Sequence, residues 1–308
     1  KPDTKGNTSQ PTTAISLNLF TDVTNEVGLD FRHYNGMTGE LYFPELMGSG
    51  TVFFDFDNDG DLDIYLVQGS LLGQDTTLKD STYPPKSEPR DQLYRNDLTR
   101  DDAGKTTVKF VNVTEQSGIR ALGYGMGVAV GDFNNDGYQD LYVTNWGENQ
   151  LFENNRDGTF TDVTKRAGVE SPEWGTSTAF VDVNHDGWLD LYVCNYVTFG
   201  YDTHHPCYHS SGAVGYCGPQ SETPVSDRLF INNQNGTFKD VSAQSGIARV
   251  SEPGLGVLCR DFNRDGWIDI YVANDAAANQ LWINNQDGTF SDEALLRGCA
   301  CNADGLAE

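Results

Sequence analysis

The sequence predicts an all-β fold, a β-propeller of four-stranded blades, and three observations predict it. A nine-residue acidic motif is written four times, a second motif alternates with it, and no segment sustains a helical period. The aromatic residue of the second motif sets the repeat. Phe20, Phe110, Phe160, Phe238 and Phe290 are 90, 50, 78 and 52 residues apart. The basic unit is thus about 50 residues, a period of propeller blades rather than of helical repeats, with insertions in the first and third units. Units run over about 20–109, 110–159, 160–237 and 238–289, and a further one starts at 290–308. The propeller spans 17–308. Residues 1–16 are polar, rich in Thr and Ser and without periodicity, and read as a flexible leader.

The acidic motif has the pattern D-x-[DN]-x-D-G-x-x-D. Its first copy carries Asp55, Asp57, Asp59, Asp61 and Asp63 at positions one, three, five, seven and nine. The same positions hold Asp132, Asn134, Asp136, Tyr138 and Asp140 in the second copy, and Asp182, Asn184, Asp186, Trp188 and Asp190 in the third. In the fourth they hold Asp261, Asn263, Asp265, Trp267 and Asp269. Ca²⁺ takes six to eight oxygens, and a tight loop aims alternate positions inward. Positions one, three, five and nine offer side-chain oxygens, and position seven offers its backbone carbonyl. Glycine at position six permits the sharp turn. Carboxylates held this close repel one another without a cation. An acidic surface turn is the alternative for any single copy, but four copies in one register point to about four bound Ca²⁺.

Each unit parses into strands A to D. In the second unit, A is 126–132, B is 139–144, C is 149–153 and D is 159–163. Strand A is apolar and rich in small residues, as an inner strand requires. The acidic loop joins A to B, and the Asn-Asn-x-Asp-Gly turn joins C to D as a hairpin signal. Leu141 and Val143 alternate with Tyr142 and Thr144, the period of a strand. In this order every acidic loop lies at one face, and the two long B–C insertions, 68–90 and 197–226, lie at the other. Leu19–Thr24 reads as an orphan strand D. It expects a blade whose other strands lie beyond Glu308, with a closed ring of four blades as the alternative.

Net charge is −25, from 45 acidic and 20 basic residues. That argues against nucleic acid or an anionic membrane as partner, and no apolar run is long enough to span a bilayer. Weak calcium loops fill at extracellular calcium. Six cysteines, two placed like a disulfide, agree with an oxidising compartment. The expected location is extracellular, at a cell surface or periplasmic.

These motifs resemble the FG-GAP/VCBS repeats of integrin α-subunit propellers. They look more closely like bacterial ASPIC/UnbV-type proteins and their animal relatives, the cartilage acidic proteins. The resemblance is carried by the four acidic loops, the N-Q-L-[FW]-x-N-N-x-D-G-T-F strings, and Tyr216-Cys217-Gly218-Pro219 ahead of Asp227-Arg228-Leu229-Phe230. It implies a secreted or surface-bound, calcium-bearing propeller, usually seven-bladed, with binding or adhesion roles and no agreed catalytic activity.

Other candidates are weaker. His204, His205, Cys207, His209 and Cys217 sit together in the third-unit insertion, where Cys207 and Cys217 either pin the loop as a disulfide or contribute to a zinc or copper site. Cys194, Cys259 and Cys299 fall at core positions of the repeat, and Cys301 has no assigned partner. The position-seven aromatics either stack on sugars or pack on the neighbouring blade. Glu45, Glu88 and Glu222 are conceivable acid/base groups, with nothing to fix their spacing. Asn7, Asn112 and Asn235 open N-x-S/T sequons. The reading is an extracellular protein- or glycan-binding, adhesion or scaffold module, with no catalytic residue assigned. A polysaccharide-active lyase or hydrolase on a calcium propeller is the alternative.

Overall fold

A computed structural model describes residues 20–307 of the chain. Residues 1–16, read as a leader, and Leu19 lie outside the described residues. Four four-stranded antiparallel sheets follow one another along the chain, each in the order A-B-C-D. The first blade holds β1 (Thr51–Phe54), β2 (Asp63–Leu66), β3 (Gln92–Asn96) and β6 (Phe110–Asn112), with a small hairpin, β4 (Thr99–Arg100) and β5 (Thr106–Thr107), between its last two strands. Blade two is β7 (Tyr124–Gly131), β8 (Asp140–Trp146), β9 (Gln150–Asn154) and β10 (Phe160–Asp162). Blade three is β11 (Gly175–Val181), β12 (Asp190–Asn195), β15 (Arg228–Asn232) and β16 (Phe238–Asp240); its insertion carries β13 (Cys207–Tyr208) and β14 (Val214–Gly215). Blade four is β17 (Gly254–Arg260), β18 (Asp269–Asn274), β19 (Gln280–Asn284) and β20 (Phe290–Asp292). The strands of blade two lie within one or two residues of their expected bounds. The acidic loops join the first two strands of every blade, and both long insertions leave the opposite end.

The core lies between blades. Phe54, Phe56 and Tyr65 of blade one pack on Leu141, Val143 and Phe152 of blade two. Phe133 and Tyr142 pack on Leu191, Val193 and Phe230 of blade three, and Val183 and Tyr192 on Ile270, Val272 and Trp282 of blade four. Each such side chain contributes about 1.5–3 kcal/mol on burial. The inner strands also bond laterally: Gly50 N donates to Met126 O at 2.7 Å, Thr144 Oγ1 to Thr176 O at 2.9 Å, and Thr176 Oγ1 to Gly254 O at 2.7 Å.

After strand D each blade turns through one helical turn: α1 (Thr114–Ser117), α2 (Thr164–Ala167), α3 (Ser242–Ser245) and α4 (Ala294–Arg297). One turn has no period to read, so these helices are invisible to pattern analysis. The orphan strand D is corrected here. Residues 20–23 form no strand and Phe20 is 92% exposed, because no third strand lies beside it among the described residues. The corner that follows forms all the same. Thr24 N donates to Asp22 Oδ1 at 3.0 Å, as Thr164 N does to Asp162 Oδ1 and Ser242 N to Asp240 Oδ1. Val27 O then accepts from Phe110 N at 2.7 Å, which seats this corner on blade one.

Candidate metal loops and the opposite rim

Every acidic loop is drawn together by backbone amides that donate into its carboxylates. In loop one, Asp59 N and Gly60 N donate to the two oxygens of Asp55, each at 3.0 Å, and Asp61 N donates to Asp59 Oδ1 at 2.9 Å. Loop two repeats this with Asp136 N and Gly137 N on Asp132, and loops three and four with Asp186 N and Gly187 N on Asp182, and Asp265 N and Gly266 N on Asp261. The position-six glycines take φ of 84–92°, the left-handed region a side chain resists. Position four is left-handed as well, at Asn58, Asn135, His185 and Arg264.

Position nine is the deepest. Asp63, Asp140, Asp190 and Asp269 are each 0% exposed. Burial, followed by neighbouring carboxylate charge, pushes Asp63 up to about 6, Asp190 to about 7 and Asp140 to about 8. Positions one, three and seven are half-buried in all four loops. At position five, Asp136 is half-buried, whereas Asp59, Asp186 and Asp265 are exposed. In loop one the oxygens of Asp55, Asp57 and Asp63 lie within 4.8 Å of one another, and Asp57 Oδ1 is buried without a hydrogen-bond partner. A hard oxygen-seeking cation fits that donor set. The same residues would hold it in each loop, since the amide scaffold is the same.

One functional residue escaped sequence reasoning. The asparagine that ends strand C (Asn96, Asn154, Asn232, Asn284) donates its backbone N–H to the position-nine Asp of its own blade, at 2.8–2.9 Å. In three blades its side chain also reaches back into the preceding loop. Asn154 Nδ2 donates to Phe56 O, Asn232 Nδ2 to Phe133 O, and Asn284 Nδ2 to Val183 O, at 2.8–2.9 Å. The signal was its recurrence in the N-N-x-[DN]-G strings of blades two to four, which read first as hairpin turns. The loops are laced directly as well. Asn58 Nδ2 donates to Gly137 O at 2.9 Å and Asn135 Nδ2 to Gly187 O at 3.0 Å. His185 stacks on Trp267 at 4.3 Å, so this position-seven aromatic packs on the neighbouring blade.

The opposite rim is built from both insertions and from residues 30–49. Phe43 contacts Trp174 and Tyr196, and Tyr42 contacts Phe199, Tyr201 and His204. Cys207 and Cys217 are joined by a disulfide with Cα atoms 5.1 Å apart. Cys207, Cys217 and His205 cluster as a metal site would, but two sulfurs spent in a disulfide leave no thiolate for zinc or copper. His204 Nε2 instead meets Glu40 O, and His205 Nδ1 meets Thr203 O. Cys194 is buried, and Cys259, Cys299 and Cys301 are partly buried against core clusters, all as free thiols.

The three glutamates occupy three surroundings. Glu45 is buried and accepts the Tyr216 hydroxyl at 2.7 Å; Glu88 is exposed on the first insertion; burial raises half-buried Glu222 above its ordinary range. Of the sequon asparagines, Asn112 and Asn235 are exposed, and Asn7 lies outside the described residues. At the base of each insertion a buried carboxylate accepts a buried tyrosine. Tyr65 Oη donates to Asp91 at 2.8 Å and Tyr192 Oη to Asp227 at 2.6 Å. Burial pushes both acids up to about 7.

Residues 132–193 and 261–305 match the FG-GAP-like repeat family. Cartilage acidic protein 1 of Mus musculus is 42% identical over 55 residues, and those of Xenopus tropicalis and Homo sapiens are 40% identical over 55. These stretches cover 18% of this chain and 8% of each relative. Among solved structures, an Agrocybe aegerita lectin that recognises non-reducing terminal N-acetylglucosamine covers 78% of this chain and 64% of its own, at 15% identity and a TM-score of 0.30. That likeness is too loose to carry a statement about this chain.

Proposed function

We propose, for a chain built of FG-GAP-like repeats, that it is a calcium-stabilised extracellular binding module whose insertion-bearing rim meets a protein or glycan. One observation carries the reading: four loops at the same end of four blades repeat a single amide-to-carboxylate scaffold around a buried position-nine aspartate. Buried like-charged carboxylates are costly unless a cation offsets them, and Ca²⁺ supplies that charge when bound. The position-one and position-five side chains hold the loop's amides and the strand-C asparagine fixes the position-nine carboxylate; the side-chain oxygens of positions one, three, five and nine, with the position-seven carbonyl, would hold the cation. The 207–217 disulfide supports an oxidising location. No helix among the described residues is long and apolar enough to cross a membrane.

Calorimetric titration of chelator-stripped protein, with bound calcium counted by elemental analysis, tests the reading. About four ions per chain are expected. At dissociation constants near 10⁻⁴ M and about 1 mM calcium, each contributes about 1.4 kcal/mol. Stripping should then lower Tm by roughly nine degrees, and Asp63→Ala should empty its own loop first. No bound calcium and an unchanged melt would falsify the assignment.

A further inference from the structure

The first insertion and the segment before blade one form a cleft of about 780 Å³, lined by Asp30 and Arg32–Asn35 on one side and Thr82–Arg90 on the other. Its base is built from buried bonds. The Tyr34 and Ser81 hydroxyls share a hydrogen bond at 2.5 Å with both residues buried, and Thr82 N donates to Met37 O at 2.7 Å. Buried Gln68 clamps the outer segment from below. Its Oε1 accepts Tyr34 N at 2.6 Å and its Nε2 donates to Arg32 O at 3.0 Å. Both walls are therefore fixed relative to blade one.

The lining chemistry is unlike the rest of the surface. In a chain of net charge −25, three cations (Arg32, Lys86 and Arg90) line this cleft, against Asp30 and Glu88. Asp30 already accepts the Tyr94 hydroxyl, and Arg90 already pairs with Glu115. Among the described residues, Arg32 and Lys86 have no ion-pair partner. Glu88 has no ion-pair partner among them either, so with Asp30 the formal charges of the cleft nearly balance in an otherwise strongly acidic chain; Arg32 and Lys86 are the cations left free to pair with an acid group of a ligand. Tyr83 is 66% exposed on a loop stiffened by Pro84 and Pro85, a preformed aromatic platform. Gln92 lends an amide held against the Tyr94 hydroxyl at 2.6 Å and Asn112 Nδ2 at 3.0 Å.

We propose that this cleft binds a short anionic oligosaccharide, with its carboxylate or sulfate at Arg32 and Lys86 and a sugar ring on Tyr83. This deepens the binding-module reading and rests on it. An aromatic face for C–H surface, a held side-chain amide for hydroxyls and two unpaired cations for an acid group match that ligand class. The volume lies within the few-hundred to about 1,000 Å³ of small-molecule sites. Acidic peptides share the charge but have no use for the ring platform.

The test is calorimetry on calcium-loaded full chain with trigalacturonate, its fully methyl-esterified form, a sulfated trisaccharide and a glutamate-rich peptide. Either anionic sugar should bind one to one and the neutral ester at least about tenfold more weakly, which is one charge contact's worth. The stronger anionic sugar identifies the acid group. Lys86→Ala and Tyr83→Ala should each weaken binding by about tenfold or more with the melt unchanged, since both side chains are exposed. The proposal fails if neither anionic sugar binds, if the variants bind as wild type does, or if the peptide binds at least as well as the sugars. Calcium counted in the same samples separates the two readings. Four ions without sugar binding sink only the cleft, whereas sugar binding without calcium sinks only the metal loops.

Discussion

A single asparagine does two jobs at each blade junction. Asn154 holds the Asp140 carboxylate by its backbone N–H and ties the preceding loop through Phe56 O. Asn154→Ala keeps the first bond and leaves a buried carbonyl without a donor, which costs about 1–3 kcal/mol. Thermal melting should therefore fall by several degrees, and calcium affinity should drop in loops one and two while loop four is unaffected. A variant melting with wild type would remove the asparagine from this role. The buried acids under the insertions contribute less stability as pH rises. Asp227 is held near 7 against an ordinary 3.8, and Tyr192, Cys194 and the Asn195 amide are the groups that face it. Its folded pKa is raised, so its contribution is fully present below pH 4 and is lost as pH rises through 7. Asp227→Asn adopts the residue that blades two and four carry at this place, Asn149 and Asn279. Relative to wild type, the variant should gain stability by about 1.4 kcal/mol per pH unit across that window. Denaturant titrations at pH 5 and pH 8 in saturating calcium check it, and a difference that does not change with pH overturns it.

At the scale of elements, the acidic loops are neighbours that touch. Position four, left-handed in all copies, points Asn58 and Asn135 at the glycine carbonyl of the next loop. Ordering one loop thereby presents a formed partner to the next, so the sites should be coupled. Asn135→Gly keeps the backbone conformation and deletes the bond. Loops two and three should each lose a few-fold in calcium affinity, about 0.5–1.5 kcal/mol for one hydrogen bond, with the stripped protein's melt little changed. Site-resolved calcium titration by NMR would show this; equal affinities in variant and wild type would mean the loops fill independently.

For the whole molecule, blades carry stability and the rim carries recognition. The 207–217 disulfide closes a short loop, worth about 3 kcal/mol in the chain-entropy account, but that loop stands outside the blade sheets. Replacing both cysteines with serine should raise hydrogen exchange through 200–220 and leave β11, β12, β15 and β16 protected. Increased exchange spread through those strands would show instead that the insertion supports the blade. The junctions are not all alike. Phe56, Phe133 and Val183 are covered by the following blade at 3, 0 and 4% exposure, whereas Phe262 at the same place in blade four is 37% exposed. Among the described residues, no hydrogen bond joins the strands of blade four to those of blade one.

The sequence by itself determined the blades, their strand order and the separation of acidic loops from insertions. Those follow from local signals: a period-two pattern, an Asp-Gly turn and a repeat length, each readable within some 50 residues. It also singled out Cys207 and Cys217, although spacing alone left a disulfide and a metal site both open. Only the tertiary structure decided what lies between blades. The strand-C asparagines, the loop lacing, the His185–Trp267 stack and the Tyr–Asp pairs each join residues whose meeting depends on how one sheet packs on the next. The same holds for the cleft beside Tyr83, whose walls come from segments some 50 residues apart and meet through Tyr34 and Ser81. Residues 20–24 show the limit in the other direction. The motif there is intact and its corner folds, but a strand is a pairing rather than a sequence property, and no neighbour among the described residues pairs with it.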